Sequence, residues 1–343
     1  MKSKLPFGLT ICIPVFNRVA LFPRALDSAL NQTRQADEII VSDNFSTDGT
    51  YEIAQEYTNR HKNIVLLRNH ENTGALQNFY SCLRAARFKY VLLLGSDDFL
   101  TPDFVYERLR LLEVNDTIKI VSGPMAIYNG SSPSLSLVAR YRYRASRFDK
   151  RYVVANFYKK FLISYFCILD TSTLLECFSF GEEFLHLGPE YAKGLGLDLI
   201  NILEMLNADQ CNDSILYAPN GYYCFCNHAN RESETISLSI GGFSRTYNDY
   251  RQNYLLFNSY LQENFGNASR DRFLNFRLAQ FYYEIFRALF LRSLTSNQAL
   301  NYLKVPFTGK RLLFREVAIT LFRSLWYSIG HLARMTYRKC GFH

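Results

Sequence analysis

The sequence predicts an α/β fold, a mostly parallel sheet covered by helices, followed by a helical C-terminal region. Three observations predict it. Between residues 8 and 127, short apolar runs rich in β-branched residues alternate with stretches of helical periodicity. The runs are apolar on both faces, as strands buried in a parallel sheet must be. After about residue 243 only helical periodicity remains.

The first run, Gly8 to Pro14, is expected to end at its proline. Val19 to Gln32 has helical spacing through Leu21, Leu26, Ala29 and Leu30, and Pro23 fits only in the first turn. Glu38 to Ser42 is the second strand, and Asp48 is placed to cap a helix reaching about Asn59. Asn63 to Leu67 is the third strand, residues 75–87 a helix, and Tyr90 to Leu94 the fourth strand. Pro102 marks the start of the next helix, and Ile118 to Val121 is a fifth strand. Residues 128–147, rich in Ser, Tyr and Arg, read as a loop or hairpin. Asp198 to Leu206 reads as a helix, and Ile215 to Phe225 as one or two strands.

The chain has 343 residues, of which 48% are hydrophobic, enough for a sizeable core. No apolar run reaches the roughly 18 residues of a spanning helix, and the N-terminus carries no signal-peptide pattern. The eight cysteines are scattered, without zinc spacing, which suits reduced thiols in a cytosolic protein. The net charge of +8 is concentrated at the C-terminus. Residues 304–343 hold eight basic residues and a single acid, Glu316. The rest is nearly neutral, so binding of a polyanion such as nucleic acid by the main domain is not implied. In that tail, Phe314, Val317, Ala318, Leu321, Leu325, Ile329, Leu332 and Ala333 recur at helical spacing among arginines. This fits a basic amphipathic helix at a membrane surface, or a terminal helix packed on the main domain.

In parallel α/β sheets ligands bind beyond the carboxyl ends of the strands. Three segments stand there in order: Thr10-Ile11-Cys12-Ile13-Pro14-Val15-Phe16-Asn17-Arg18, Ile39 to Thr50 around Ser42-Asp43-Asn44, and Tyr90 to Asp98 ending Gly95-Ser96-Asp97-Asp98. A fourth, His70-Glu71-Asn72-Thr73-Gly74, precedes the helix that carries Asn78. Here the sequence strongly resembles the family 2 glycosyltransferases, whose nucleotide-binding fold is called GT-A. The likeness is close over residues 8–105 and loose over 185–235. It implies a GT-A domain over residues 1–240, with residues 241–343 as the helical C-terminal region.

The resemblance implies an inverting enzyme that moves a sugar from a nucleotide-diphosphate sugar to a hydroxyl of a glycan or lipid-linked acceptor in surface polysaccharide synthesis. The alternatives are a nucleotidyltransferase and a non-catalytic nucleotide-sugar or glycan-binding protein. Donor contacts fall on Pro14, Phe16, Asn17, Arg18, Asp43, Asn72, Gly74, Asn78, Ser96 and Arg231. Asp43 is the residue expected to receive a hydrogen bond from the base, and Phe16 either stacks on it or belongs to the core. Asp97, Asp98 and His228 are candidate ligands for Mg²⁺ or Mn²⁺, which favour oxygen ligands and neutralise a departing diphosphate. For Asp97 and Asp98 a purely local role in the turn is the other reading. Asp198, which opens an apolar helical run after two glycines, is the expected catalytic base, with Glu190 in reserve; a helix cap is the alternative for Asp198. Two positions depart from the family pattern: Gly95 replaces the first acid of the metal motif, and Asn44 replaces a second Asp after Asp43. A cytoplasmic protein peripheral to the inner face of the cell membrane is expected.

Overall fold

The computed structural model of the chain divides into two units, residues 1–228 and 229–343. It describes residues 5–115, 117–129, 136–137, 146–148, 166–177, 205 and 215–227. Glu190, Asp198, His228, Arg231 and the basic tail lie outside them.

In chain order the elements are β1 (Leu9–Val15), α1 (Phe22–Leu30), β2 (Glu38–Asp43), α2 (Thr50–Arg60), β3 (Ile64–Arg68), α3 (Ala75–Ala85), β4 (Tyr90–Leu93), β5 (Phe99–Leu100) and α4 (Phe104–Glu113). There follow β6 (Ile120–Ser122), β7 (Met125–Asn129), β8 (Ser136–Leu137), β9 (Ser146–Phe148), β10 (Ile168–Asp170), β11 (Ile215–Tyr217) and β12 (Tyr223–Asn227). The main sheet has the order β3-β2-β1-β4-β10-β6-β11-β9, and a second sheet the order β5-β12-β7-β8. β1, β2, β3 and β4 are mutually parallel. β10 enters between β4 and β6 antiparallel to both.

Leu9, Ile11 and Ile13 on β1, Ile39 and Val41 on β2, and Leu92 on β4 are buried in one core with Phe22, Ala25, Leu26 and Ala29 of α1. Leu26 and Ala29 are on the expected face and Pro23 does lie in the first turn of α1, but the helix starts only at Phe22, so that Leu21 stands before it, and Phe22 and Ala25 complete the buried face. α3 starts behind Gly74, whose φ of 87° suits a residue without a Cβ.

Several expectations shift. β1 does not stop at Pro14 but runs on to Val15 against β2. The helix after Pro102 begins only at Phe104. β5 and β10 have no visible signal in the sequence, being two and three residues long. Of the two readings of residues 128–147, the hairpin is the one that holds, with β7 starting earlier, at Met125, and pairing antiparallel with β8.

The strand order places a crevice. The chain winds from β1 to β2 to β3 in one direction, then returns to the other side of β1 as β4. The carboxyl ends of β1 and β4 therefore face each other at a topological switch point. Pro14 opens the gap. Pairing of β1 with β4 ends at Cys12, where the Leu94 N–H donates to the Cys12 carbonyl (2.8 Å). The next bond in that ladder would need an N–H at position 14, and proline has none. The β2 side of β1 uses the alternate residues and stays paired through Val15.

Candidate active site

The crevice has two walls. The first is made by the ends of β1, β2 and β3. Asp43, at the end of β2, is completely buried. Its carboxylate accepts the Ser46 N–H (3.1 and 3.3 Å) and lies 3.5 Å from Arg68 Nε. The Arg68 guanidinium covers the Tyr51 ring at 3.9 Å and approaches the Phe45 ring at 5.5 Å. A carboxylate, a guanidinium and two aromatic rings are thus gathered beside β1. Asn17 and Phe45 both have positive φ, 49° and 65°. For a bulky Phe that backbone is strained, and such strain collects at functional sites. Local bonds hold it: the Asn17 N–H donates to Ser46 Oγ, and the Thr47 N–H to Asn17 Oδ1.

The loop after β1 is tied to α2. Arg18 N–H donates to Thr50 Oγ1, and Val19 N–H to Asp48. Asp48 caps α2 from one residue outside the expected position, since Gly49 stands between it and the helix, and it accepts the Thr50 N–H. Burial acts to raise the Asp48 pKa, but the hydrogen bonds from Thr50 and Val19 outweigh it and leave the carboxyl below its ordinary value.

Behind this wall runs an amide network. Asn44 Oδ1 accepts from Asn69 Nδ2 (2.9 Å) and from the Thr73 N–H (3.0 Å), while Asn44 Nδ2 donates to Asn72 Oδ1 (2.7 Å). Asn72 also accepts the Gly74 N–H. Asn78 is buried; its Oδ1 accepts from Ser42 Oγ and its Nδ2 donates to the Val15 and Ser42 carbonyls. This corrects the expectation for Asn78, which clasps β1 to β2 from within instead of facing a ligand. Asn44 both donates and accepts here, which an Asp at that position cannot do.

The second wall is the turn Gly95–Asp98 after β4, closed by Asp98 N–H donating to the Gly95 carbonyl (3.0 Å). Asp98 is buried, and both its oxygens serve the fold: one accepts from Tyr223 Oη (2.9 Å), the other from the Cys226 N–H (2.8 Å). Tyr223 Oη in turn accepts the Gly95 N–H (2.9 Å). Burial and the neighbouring Asp98 charge push the Tyr223 pKa well above its ordinary value, so the phenol stays a donor to Asp98. Asp98, expected as a metal ligand, is therefore the anchor of the turn. Asp97 is half-buried with its carbonyl held by Arg24 Nη2 (2.9 Å). A Cβ at Gly95 would lie 2.8 Å from Asp98 Oδ2 and 3.2 Å from Asp97 Oδ1. The space that an acid at position 95 would need is already filled by these two carboxylates.

Among the described residues, no three His, Cys, Asp or Glu side chains converge on a metal position. Asp97 nevertheless fits a divalent-ion site, because Mg²⁺ is commonly held by one or two carboxylates with substrate phosphates and water. Of the other expected contacts, Pro14 lies within β1, Phe16 is 38% exposed and not core, and Arg18 and Ser96 are half-buried at the crevice ends of their strands. Tyr51, Arg68, Arg24 and Tyr223 escaped sequence reading. Arg68 at the end of β3 carried a positional hint; the other three carried none.

Residues 10–175 match the model of Glycosyl transferase family 2. These residues form a glycosyl transferase family 2 domain. The family 2 domain is similar to the poly(ribitol-phosphate) beta-glucosyltransferase of Bacillus spizizenii, at 28% identity over 38% of this chain and 22% of that protein. It is also similar to abequosyltransferase RfbV of Salmonella typhimurium, at 38% identity over 28% of this chain and 29% of that one. The matched stretches thus cover under a third of either relative. Among solved structures, S. aureus TarS in complex with UDP-GlcNAc superposes with a TM-score of 0.60 at 16% identity, over 87% of this chain and 80% of that one. That likeness establishes the shared fold, GT-A, for the family 2 domain.

Proposed function

We propose that the protein is an inverting glycosyltransferase that takes a sugar from a nucleotide-diphosphate donor. The observation that carries this is the crevice at the switch point, with Asp43 and Arg68 on one side of the β1 end and Asp97 on the other. A nucleotide lying across the end of β1 meets Arg68 and the rings of Tyr51 and Phe45, set in place beside the buried Asp43, and an acid for a metal–diphosphate at Asp97. The structures of TarS with UDP-GlcNAc and with UDP support a nucleoside-diphosphate sugar as the donor class. The acceptor is a hydroxyl of a glycan or lipid-linked intermediate of surface polysaccharide synthesis, a reading supported by the names of the sequence relatives.

In this reading Asp97 holds Mg²⁺ or Mn²⁺ together with the diphosphate, with His228 as a further candidate ligand. When bound, such an ion would neutralise charge on the leaving diphosphate. Arg18 and Arg231 are placed by sequence to pair with phosphate oxygens. Asp198 takes the proton from the acceptor hydroxyl, with Glu190 in reserve. Kinetics separate the two acids. Asp97→Asn should abolish Mn²⁺-dependent turnover and weaken Mn²⁺-dependent UDP binding, on the order of 10–100-fold or more. Asp198→Asn should lower kcat severely with donor binding intact. Wild-type rates in EDTA, or in Asp97→Asn, would overturn the metal role; wild-type kcat in Asp198→Asn would move the base elsewhere.

The basic tail carries a peripheral association with the cytoplasmic face of the membrane, supported by its charge and apolar periodicity. Removing residues 310–343 should release the protein from anionic vesicles in a flotation assay. Equal flotation of both forms would show that the tail plays no part.

A further inference from the structure

We propose that Arg24, on α1, is a positioning residue that fixes the orientation of Asp97 in the donor crevice. The inference rests on the reading of Asp97 as the acid that faces the metal–diphosphate.

The turn Gly95–Asp98 is not carried by the sheet. It is fastened residue by residue: Gly95 N–H to Tyr223, Asp98 carboxylate to Tyr223 and Cys226, and Asp97 carbonyl to Arg24. The first two hold the ends of the turn. The peptide that leaves Asp97 is held on both sides, its N–H by the Gly95 carbonyl within the turn and its carbonyl by Arg24 from outside it, so Arg24 ties the direction of that peptide to α1.

Arg24 is held in place around that contact. Its guanidinium lies 5.2 Å from the Phe99 ring centroid and 5.5 Å from that of Tyr128, on strands β5 and β7 of the second sheet. Nη2 also lies 3.0 Å from Cys226 Sγ. Nε is shut from solvent and has no hydrogen-bond partner. Among the described residues no carboxylate forms an ion pair with Arg24. An apolar side chain could also fill the space between the two rings. What the guanidinium adds is a charge-assisted bond to the Asp97 carbonyl in a fixed plane set by the rings.

Arg24 does not touch the reacting atoms in this scheme. It acts through Asp97, as outer partners orient the ligands of metal sites. The test is binding of UDP to the full-length protein, titrated with and without Mn²⁺, for wild type, Arg24→Met, Arg24→Lys and Asp97→Asn. In Arg24→Met the Mn²⁺ concentration needed to promote UDP binding should rise on the order of tenfold or more. Metal-free UDP binding should stay within about twofold of wild type, since the Asp43 wall is untouched. Arg24→Lys, which keeps the charge and the apolar stem, should recover part of the Mn²⁺ effect. Arg24→Gln, neutral and polar, replaces the methionine variant if that one does not fold, with the same expectation.

A wild-type Mn²⁺ dependence in the neutral variants would overturn the proposal while Asp97→Asn remains impaired. An equal loss with and without Mn²⁺ would also overturn it, because it would reveal a general packing role. If Asp97→Asn itself keeps the wild-type Mn²⁺ response, the reading of Asp97 fails and the proposal falls with it.

Discussion

The two walls of the crevice are held by different means. The wall formed by β1, β2 and β3 is held by the carboxylates of Asp43 and Asp48 and backed by neutral amides and hydroxyls that share their bonds: Asn44 alone contacts Asn69, Asn72 and Thr73. The Gly95–Asp98 wall depends on single contacts, several of them charged, from Arg24 and from strand β12. A shared network spreads the loss of any one bond. A turn held by a buried carboxylate and one phenol does not, because a buried polar group left without its partner costs its full desolvation. The two walls should therefore respond very differently to substitution.

The largest effect is expected at Gly95. Gly95→Asp supplies the acid that the family pattern has at this position, yet its Cβ would press on both the Asp97 and Asp98 carboxylates. Asp98 is pinned by two hydrogen bonds and cannot yield. Mn²⁺-supported turnover should fall on the order of 10–100-fold despite the added carboxylate. Initial rates across an Mn²⁺ titration read this directly; tighter metal activation in the variant would mean that the turn has room for a second acid.

Next comes Arg108, which holds the segment leading into β12. It is fully buried, donates to the carbonyls of Phe104, Asn220 and Gly221, and stacks on Phe104 at 3.5 Å. Burial lowers its pKa to about 10, still high enough to keep the charge at neutral pH. Gly123 and Gly221 make way for it: a Cβ at Gly123 would collide with Arg108 Nη2, and Gly221, at φ 73°, has no room for one against the Phe104 backbone. Arg108→Met keeps the apolar bulk and orphans the carbonyls, so urea unfolding should register a loss of about 2–3 kcal/mol. A change under about 0.5 kcal/mol, the usual range for surface sites, would show that β12 is anchored without it.

The smallest effect tests the other wall. Asn44→Asp loses the bond to Asn72 and sets two acceptors against each other, but Asn69 and Thr73 can still donate to it. Stability should drop by about 1 kcal/mol, with kcat nearly unchanged. A collapse of activity would show that the amide network is as brittle as the acidic turn.

The same contrast governs how much of the site was legible beforehand. Asp43, Asn44, Asn72 and Asn78 lie next to strand ends that apolar runs announce, and most of their partners lie within the first 78 residues. Their positions could be read, although what each one touches could not: Asn78 turned inward because Ser42 and the ends of β1 and β2 offered it buried partners. The acidic turn could be located but not understood. Tyr223 is 128 residues from Gly95, and residues 10–175, which match the family, do not reach it.

The sequence by itself determined the alternation of strands and helices through α4, the two-residue β5 excepted, and the kinds of residue at the strand ends. Periodicity is a local property, and burial on both faces leaves its mark on every strand long enough to show it. Only the tertiary structure decided that Asp98 is the anchor of the turn. Asp97 and Asp98 are neighbours of identical chemistry, and nothing local distinguishes them. The difference arises because β12 returns beside β5 in the second sheet and offers Asp98 a phenol and a backbone N–H, while α1 offers Asp97 a guanidinium at its carbonyl. Those bonds join parts of the chain that meet only after folding, and they commit the Asp98 carboxylate to the fold while Asp97 is held through its backbone.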